Sequence, residues 1–312
     1  MTASPLFGVA GNPPNFWASD YSSDRVHAPE WLGSIGLDAL ELQCTRGVRM
    51  SDERAAEFRR NAERYNVELS IHGPYYISIG TPDPKKIDNS LNELHKCVRL
   101  AKKLGARRIV FHPGTFVGTR ESGVRSAIDA LKRFEQECDL DDVRLFPEVA
   151  GKIRQLGSLD DILAICAEVD CAWPCIDFAH LHARTHGSLR SRDDFAVVFD
   201  KLQKVLGQEA FIARHLHFHM CPIEWGKQGE IRHRAFADLQ TDEQLGLFGA
   251  RSTATRHFLP RFEPLIEEIV ARELAPLIVC EAKDSQDVAA RLMKEYWLST
   301  NGQRISTAQA TC

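Results

Sequence analysis

Three of the chain's twelve histidines fall within five residues, at 215, 217 and 219 in "RHLHFHM" (214–220). Successive side chains of a strand point to opposite faces, so a strand here would set all three imidazoles on one face. Other residues able to bind a metal stand at the ends of short apolar runs. His72 follows "LSI", His112 follows "IVF", Glu148 follows "LFP" and Glu281 follows "LIVC". Asp177 closes "CID", with His180 three residues later, and His233 lies in the loop after the triplet. A carboxylate placed after an apolar run is costly unless it is paired or metal-bound. Imidazole mixed with carboxylate, without thiolate, suits zinc, iron or manganese better than calcium or magnesium. One zinc usually takes four ligands, and this set exceeds that, so two or three divalent ions are expected, with Glu148 able to bridge two. Clustered divalent ions activate water and clamp the oxygens of a phosphoryl centre. The expected chemistry is phosphoester hydrolysis.

Such side chains need a frame that gathers strand ends. Eight runs read as strands: 6–11, 39–44, 68–73, 108–114, 144–149, 173–178, 215–220 and 277–282. Between them lie segments with apolar residues at three- and four-residue spacing, as in "LNELHKCVRLAKKLGA" (91–106) and "RSAIDALKRFEQEC" (125–138). Strands alternating with helices argue for a parallel sheet, and eight is the number that closes a (β/α)₈ TIM barrel, with its chemistry at the C-terminal strand ends. An open doubly wound sheet would more often carry a glycine-rich phosphate loop after its first strand, and "AGNPPNF" is not one. The chain reads as α/β, a single barrel domain over residues 1–298, followed by a polar tail at 299–312.

The totals fit. The 312 residues are 44% hydrophobic with a net charge of −4, which gives no global basic signal for nucleic acid. Nucleic acid is not thereby excluded, because a metal cluster supplies its own positive charge. Nine cysteines, with no CxxC pair, read as free thiols of a reducing compartment. Cys166, Cys171 and Cys175 straddle a helix end and a strand, and read as buried thiols rather than a metal knot. The N-terminal stretch lacks a basic region before a long apolar core, and no run approaches a membrane span. A soluble cytoplasmic monomer is expected.

The stretches "SIHGPYYISIGTPDP", "VFHPGTF", "PEVAG", "IDFAHLHA", "HFHMCPIEWGKQGEIRH" and "VCEA" span residues 70–282 in order. Together they resemble the endonuclease IV family, metal-dependent apurinic/apyrimidinic endonucleases with a TIM-barrel fold. The resemblance implies three ions, typically zinc, and cleavage of DNA 5′ to an abasic site by a metal-bridging hydroxide. By position, His72 and His112 resemble ligands of the first ion, with Glu148 bridging to the second and orienting the attacking group. Asp177, Glu281 and one histidine of the seventh strand resemble ligands of the second ion, and His180 and His233 those of the third. Tyr75 resembles the tyrosine that helps hold the distorted duplex. Lys85 and Lys86 could meet phosphate or simply begin a solvated helix.

Residues two apart on a strand are separated by about 6.5–7 Å, so the three imidazoles of the seventh strand cannot all share one ion. Strand geometry favours His219, nearest the mouth. Aligning the following "IEWGKQGEIRH" with the family pattern favours His217, and His217 is taken as the ligand. His219 is then a group facing substrate or supporting a ligand, and His215 is structural. Two departures stand out. The family's aspartate before the last loop histidine is here Ile231, with Glu230 beside it as a possible substitute, and Val149 replaces a polar residue. Two other functions therefore compete. One is a sugar isomerase or epimerase of the xylose-isomerase-like barrels, which typically use fewer ions. The other is a non-catalytic, metal-stabilised protein that binds damaged DNA.

Overall fold

The computed structural model describes residues 4–208, 216–237 and 260–310. Eight strands build one parallel sheet: β1 (Leu6–Ala10), β2 (Ala39–Gln43), β3 (Glu68–His72), β4 (Arg108–Phe111), β5 (Arg144–Pro147), β6 (Cys175–Asp177), β7 (His217–Met220) and β10 (Leu277–Cys280). Their order is β5-β4-β3-β2-β1-β10-β7-β6. The two ends of that order meet through bridges Leu145–Ala172 and Glu148–Cys175, and the Val149 N–H donates to Cys175 O at 3.1 Å. The sheet curls into the expected (β/α)₈ barrel, nearly closed at this seam. Six of the strands begin with their apolar runs and end one to three residues before those runs do, whereas β6 and β7 begin two residues later than theirs.

Ten helices are described: α1 (Pro14–Trp17), α2 (Ala28–Ser34), α3 (Asp52–Tyr65), α4 (Pro84–Leu104), α5 (Arg120–Glu137), α6 (Leu159–Glu168), α7 (Phe178–Arg184), α8 (Arg192–Leu206), α9 (Glu263–Ala271) and α10 (Gln286–Ala310). Their starts are written in the sequence. Ser51, Asp83, Thr119 and Ser158 each accept a backbone N–H of the first turn, and each such cap is worth about 1 kcal/mol. Asn66 and Gly105 close α3 and α4 in the left-handed region, with φ of 53° and 70°. α10 continues through Ala310, so the segment read as a polar tail begins within a helix. Among the described residues, no helix is long and apolar enough to cross a membrane.

Strand alternation divides two apolar layers. Phe218 points outward and packs on Phe178 and Phe199, with ring centroids 5.2 and 5.7 Å away. Ala39, Leu277 and Val279 form a separate small cluster, packed with Leu6 and Ala10, and Val110, Phe146 and Cys175 form another. These fill the barrel's interior below the mouth. Above them, at the next inward positions, the polar residues begin. Burying each aliphatic or aromatic side chain contributes about 1.5–3 kcal/mol, so the floor of the barrel is rigid where it meets those residues.

A hairpin not anticipated from sequence follows β7. Its strands are β8 (Ile223–Gly226) and β9 (Gly229–His233), an antiparallel pair outside the main sheet. The run is too polar to show an apolar alternation. Pairing runs Ile223–His233 and Glu224–Arg232, then shifts to Trp225–Glu230 and Gly226–Gly229, leaving Ile231 as an extra residue.

Candidate metal centre

Seven inward positions at the strand ends converge. On β3 His72 is the last residue, on β6 Asp177, and on β7 His219 is the last but one. His112, Glu148 and Glu281 follow β4, β5 and β10 directly, and His180 sits on the first turn of α7. Asp177 has two duties there, since it also caps α7 by accepting the His180 N–H at 2.7 Å. The hairpin brings in His233. Three groups of ligand-type atoms result: His72, His112 and Glu148; Glu148, Asp177, His219 and Glu281; and Asp177, His180 and His233.

Glu148 joins the first two groups. Its Oε2 is 3.0 Å from His72 Nε2 and 3.4 Å from His112 Nε2, while its Oε1 is 3.2 Å from His219 Nδ1. His219 Nδ1 is also 3.6 Å from Glu281 Oε1 and 4.0 Å from Asp177 Oδ2. In the third group His180 Nε2 and His233 Nε2 face each other at 3.1 Å.

Backbone carbonyls choose the ring nitrogens. His72 Nδ1 lies 3.0 Å from Gly73 O, His180 Nδ1 3.0 Å from Val149 O, and His233 Nδ1 3.3 Å from Glu281 O. A carbonyl only accepts, so each Nδ1 carries the proton and donates it, and Nε2 is turned into the site. Val149 thus serves through its carbonyl while its side chain lies in the core. Burial alone would raise Glu148, but the facing imidazoles of His112 and His219 hold its carboxyl well below the usual range. Burial works against the charged form of His72, yet Glu148 and the more distant Glu41 push it up to about 9. Burial takes His112 down to about 4 and Asp177 up to about 6.

Of the two described histidines of β7, the one among the carboxylates is His219. The sequence reading favoured His217, and the register explains the difference. His219 pairs with Asp177, whereas His217 pairs one layer lower with Cys175. His217 Nε2 faces Glu41 Oε2 at 3.1 Å, under the Phe146 ring 5.5 Å away. His215 lies outside the described residues.

Sequence reasoning missed Glu41. This carboxylate is fully buried on β2, accepts a hydrogen bond from Ser70 Oγ at 3.0 Å, and lies 3.2 Å from His219 Nε2. The signal was present in "ALELQC", a charged residue inside an apolar run. Cys175, read as an inert thiol, has Sγ close to the ring nitrogens of His217 and His219, and burial pushes that thiol well above its ordinary range. Tyr75 stands at the mouth with 70% of its surface exposed. Lys85 and Lys86 are exposed on the first turn of α4, their N–H groups capped by Asp83.

The donor set fits divalent metal. Three carboxylates, two of them with no exposed surface, face imidazoles within the barrel. Asp177 Oδ2 is buried and accepts no hydrogen bond, an arrangement that costs free energy unless a cation completes it.

The family model described as xylose isomerase-like TIM barrel matches residues 29–297. An uncharacterized protein of Methanocaldococcus jannaschii is 31% identical over 236 residues, 73% of this chain and 80% of that protein. A protein of Thermoplasma acidophilum named "Probable endonuclease 4" is 28% identical over 171 residues, 54% of this chain. The match spans only 58% of that relative's length. Among solved structures, endonuclease IV from Thermus thermophilus superposes with a TM-score of 0.61 at 17% identity, covering 95% of this chain and all of that one. The 3-keto-D-glucoside 4-epimerase of E. coli superposes equally well, with a TM-score of 0.62 at 14% identity, covering 96% of this chain and all of that one. At such identities these superpositions speak to the fold alone.

Proposed function

The chain belongs to the xylose isomerase-like TIM barrel family, and from that premise we propose that it is a metal-dependent phosphodiesterase acting on DNA at abasic sites. One observation carries the reading. The two oxygens of Glu148 face opposite ways, one to His72 and His112, the other to His219, so this one carboxylate would serve both donor groups. His72, His112 and Glu148 would hold the first ion, and Glu148, Asp177, His219 and Glu281 the second. His180 and His233 would hold a third. Zinc suits these donors best, with iron or manganese also compatible.

Bound divalent ions would supply Lewis acidity, acidifying water and neutralising charge on the phosphoryl oxygens. The protein's own residues orient the reaction. Glu148, buried and held ionised, is the carboxylate placed to orient the attacking water by accepting a hydrogen bond. His72, His180 and His233 are locked by backbone carbonyls with Nε2 inward, so the site needs little rearrangement to bind. Tyr75 offers an exposed ring at the mouth for a base flanking the lesion.

The group Glu148, Asp177, His219 and Glu281 favours one other reading. By itself it is a complete site for a single ion built of three carboxylates and one histidine, such as a sugar epimerase could use. His72, His112, His180 and His233 have no place in that minimal set, and their arrangement favours the polynuclear reading.

The deciding experiment offers metal-loaded protein a duplex with one abasic site. Incision 5′ to the lesion, abolished by chelation and reduced about 10²–10⁴-fold in Glu148→Gln, is the expected result. Epimerisation of a ketose without incision would overturn the proposal, and tight binding of the abasic duplex without incision would leave a damage-binding protein in its place.

A further inference from the structure

We propose that Glu230 is the carboxylate of the third ion, delivered beside His180 and His233 by the one-residue bulge at Ile231; this rests on the polynuclear reading above. Strand alternation would ordinarily forbid it. Residues 230 and 233 differ by three, so a regular strand would turn them to opposite faces. The extra residue in β9 resets the alternation. Ile231 and Arg232 both face solvent, with Ile231 57% exposed, and Glu230 and His233 both face the barrel.

Distances then decide between a hydrogen bond and an ion. Glu230 Oε2 is 3.6 Å from His180 Nε2, and Oε1 is 3.9 Å from His233 Nε2. Both exceed good hydrogen-bond length. Two ligands held about 2.0–2.2 Å from one zinc at the tetrahedral angle lie about 3.3–3.6 Å apart. The gaps around Glu230, each made by a different one of its oxygens, and the 3.1 Å between the two Nε2 atoms lie on either side of that spacing, so a turn of the carboxylate would bring one oxygen to both rings. The His180 and His233 Nδ1 protons are already given to carbonyls, so each ring in its neutral form turns an Nε2 lone pair toward the space beside Glu230.

Two glycines make room for this approach. A Cβ on Gly151 would lie 2.6 Å from Glu230 Cβ and 2.9 Å from His180 Cδ2. Gly229, with φ of +88°, would place a Cβ 2.2 Å from Gly151 O. The Glu230 N–H donates to that same Gly151 carbonyl at 3.1 Å. The hairpin is therefore seated on the loop after β5 at the point where Glu230 must reach inward.

The test strips the full-length protein with chelator, reloads it with zinc alone and counts metal per folded chain by mass spectrometry. Three zinc ions are expected in the wild type and two in Glu230→Ala. Deleting Ile231 should leave three, because Glu230 then stands two residues before His233 in a regular strand. Three ions retained in Glu230→Ala, or two in a deletion variant whose circular dichroism shows it folded, would overturn this inference alone. A wild-type chain saturating at one ion would overturn the polynuclear reading beneath it as well.

Discussion

Glu41 Oε1 stands 3.2 Å from His219 Nε2, while the other nitrogen of the same ring faces Glu148 Oε1 at 3.2 Å. The imidazole is thus gripped from below by a carboxylate that has no exposed surface and is itself anchored by Ser70. A carboxylate behind a ligating histidine fixes its ring orientation and raises its basicity. Replacing Glu41 by Gln should weaken zinc at the Glu148, Asp177, His219 and Glu281 group by about 10–100-fold, read by competition with a calibrated chelator. Unchanged affinity would mean that Glu41 only fills space.

His217 and His219 should separate cleanly. His219→Ala removes the ring that meets four carboxylates, Glu41, Glu148, Asp177 and Glu281, and it should lose at least one zinc per chain. His217→Ala removes a ring one layer lower and should keep full metal content while lowering the melting temperature, because it leaves Glu41 with one partner fewer. Elemental analysis and a thermal melt of both variants check this. Metal loss confined to His217→Ala would restore the ligand choice suggested by the sequence alone.

Zinc uptake should depend on pH with a definite sign. In the metal-free protein His72 is pushed up to about 9, so it holds a second proton at neutral pH, on Nε2 toward Glu148. Zinc needs that lone pair and must expel the proton. Affinity should therefore fall as pH drops below about 9, about tenfold per unit for each proton displaced. His112, at about 4, contributes nothing to this slope above pH 5. Titration calorimetry in buffers of different ionisation enthalpy counts the protons, and a zero count at pH 7 would contradict the assignment of His72.

Tyr75 is largely exposed beside the mouth. If its ring stacks on a base, Tyr75→Ala should cost about 1–3 kcal/mol of binding to an abasic duplex, with metal content unchanged. A fluorescence titration against intact and abasic duplexes measures it. Equal weakening for both would mean that the ring does not discriminate the lesion.

Much of this architecture could be read from the chain. Eight apolar runs, six of them ending in ligand-type residues, point to a barrel and its mouth, because a carboxylate closing a buried run must be paired or metal-bound. His72, His112, Glu148, Asp177, His180, His233 and Glu281 fall into three adjoining groups of donor atoms, linked through Glu148 and Asp177. What escaped notice depends on register between distant segments. That His219 rather than His217 lies beside Glu148, Asp177 and Glu281 depends on which residue of β6 lies opposite each. Glu41 was hidden because its partners come from β3 and β7, far along the chain. Ile231 looked like a missing ligand, since a bulge cannot be seen without its partner strand.

The seam between β5 and β6 carries a last consequence. There the barrel lacks a full ladder and is joined by isolated bridges. Glu148 rises from one side of that seam and Asp177 from the other, and both point to the same group of donor atoms. A cation seated between them would act as a rivet, clamping the one lateral join that backbone pairing leaves weak. Ions held there would keep the barrel round.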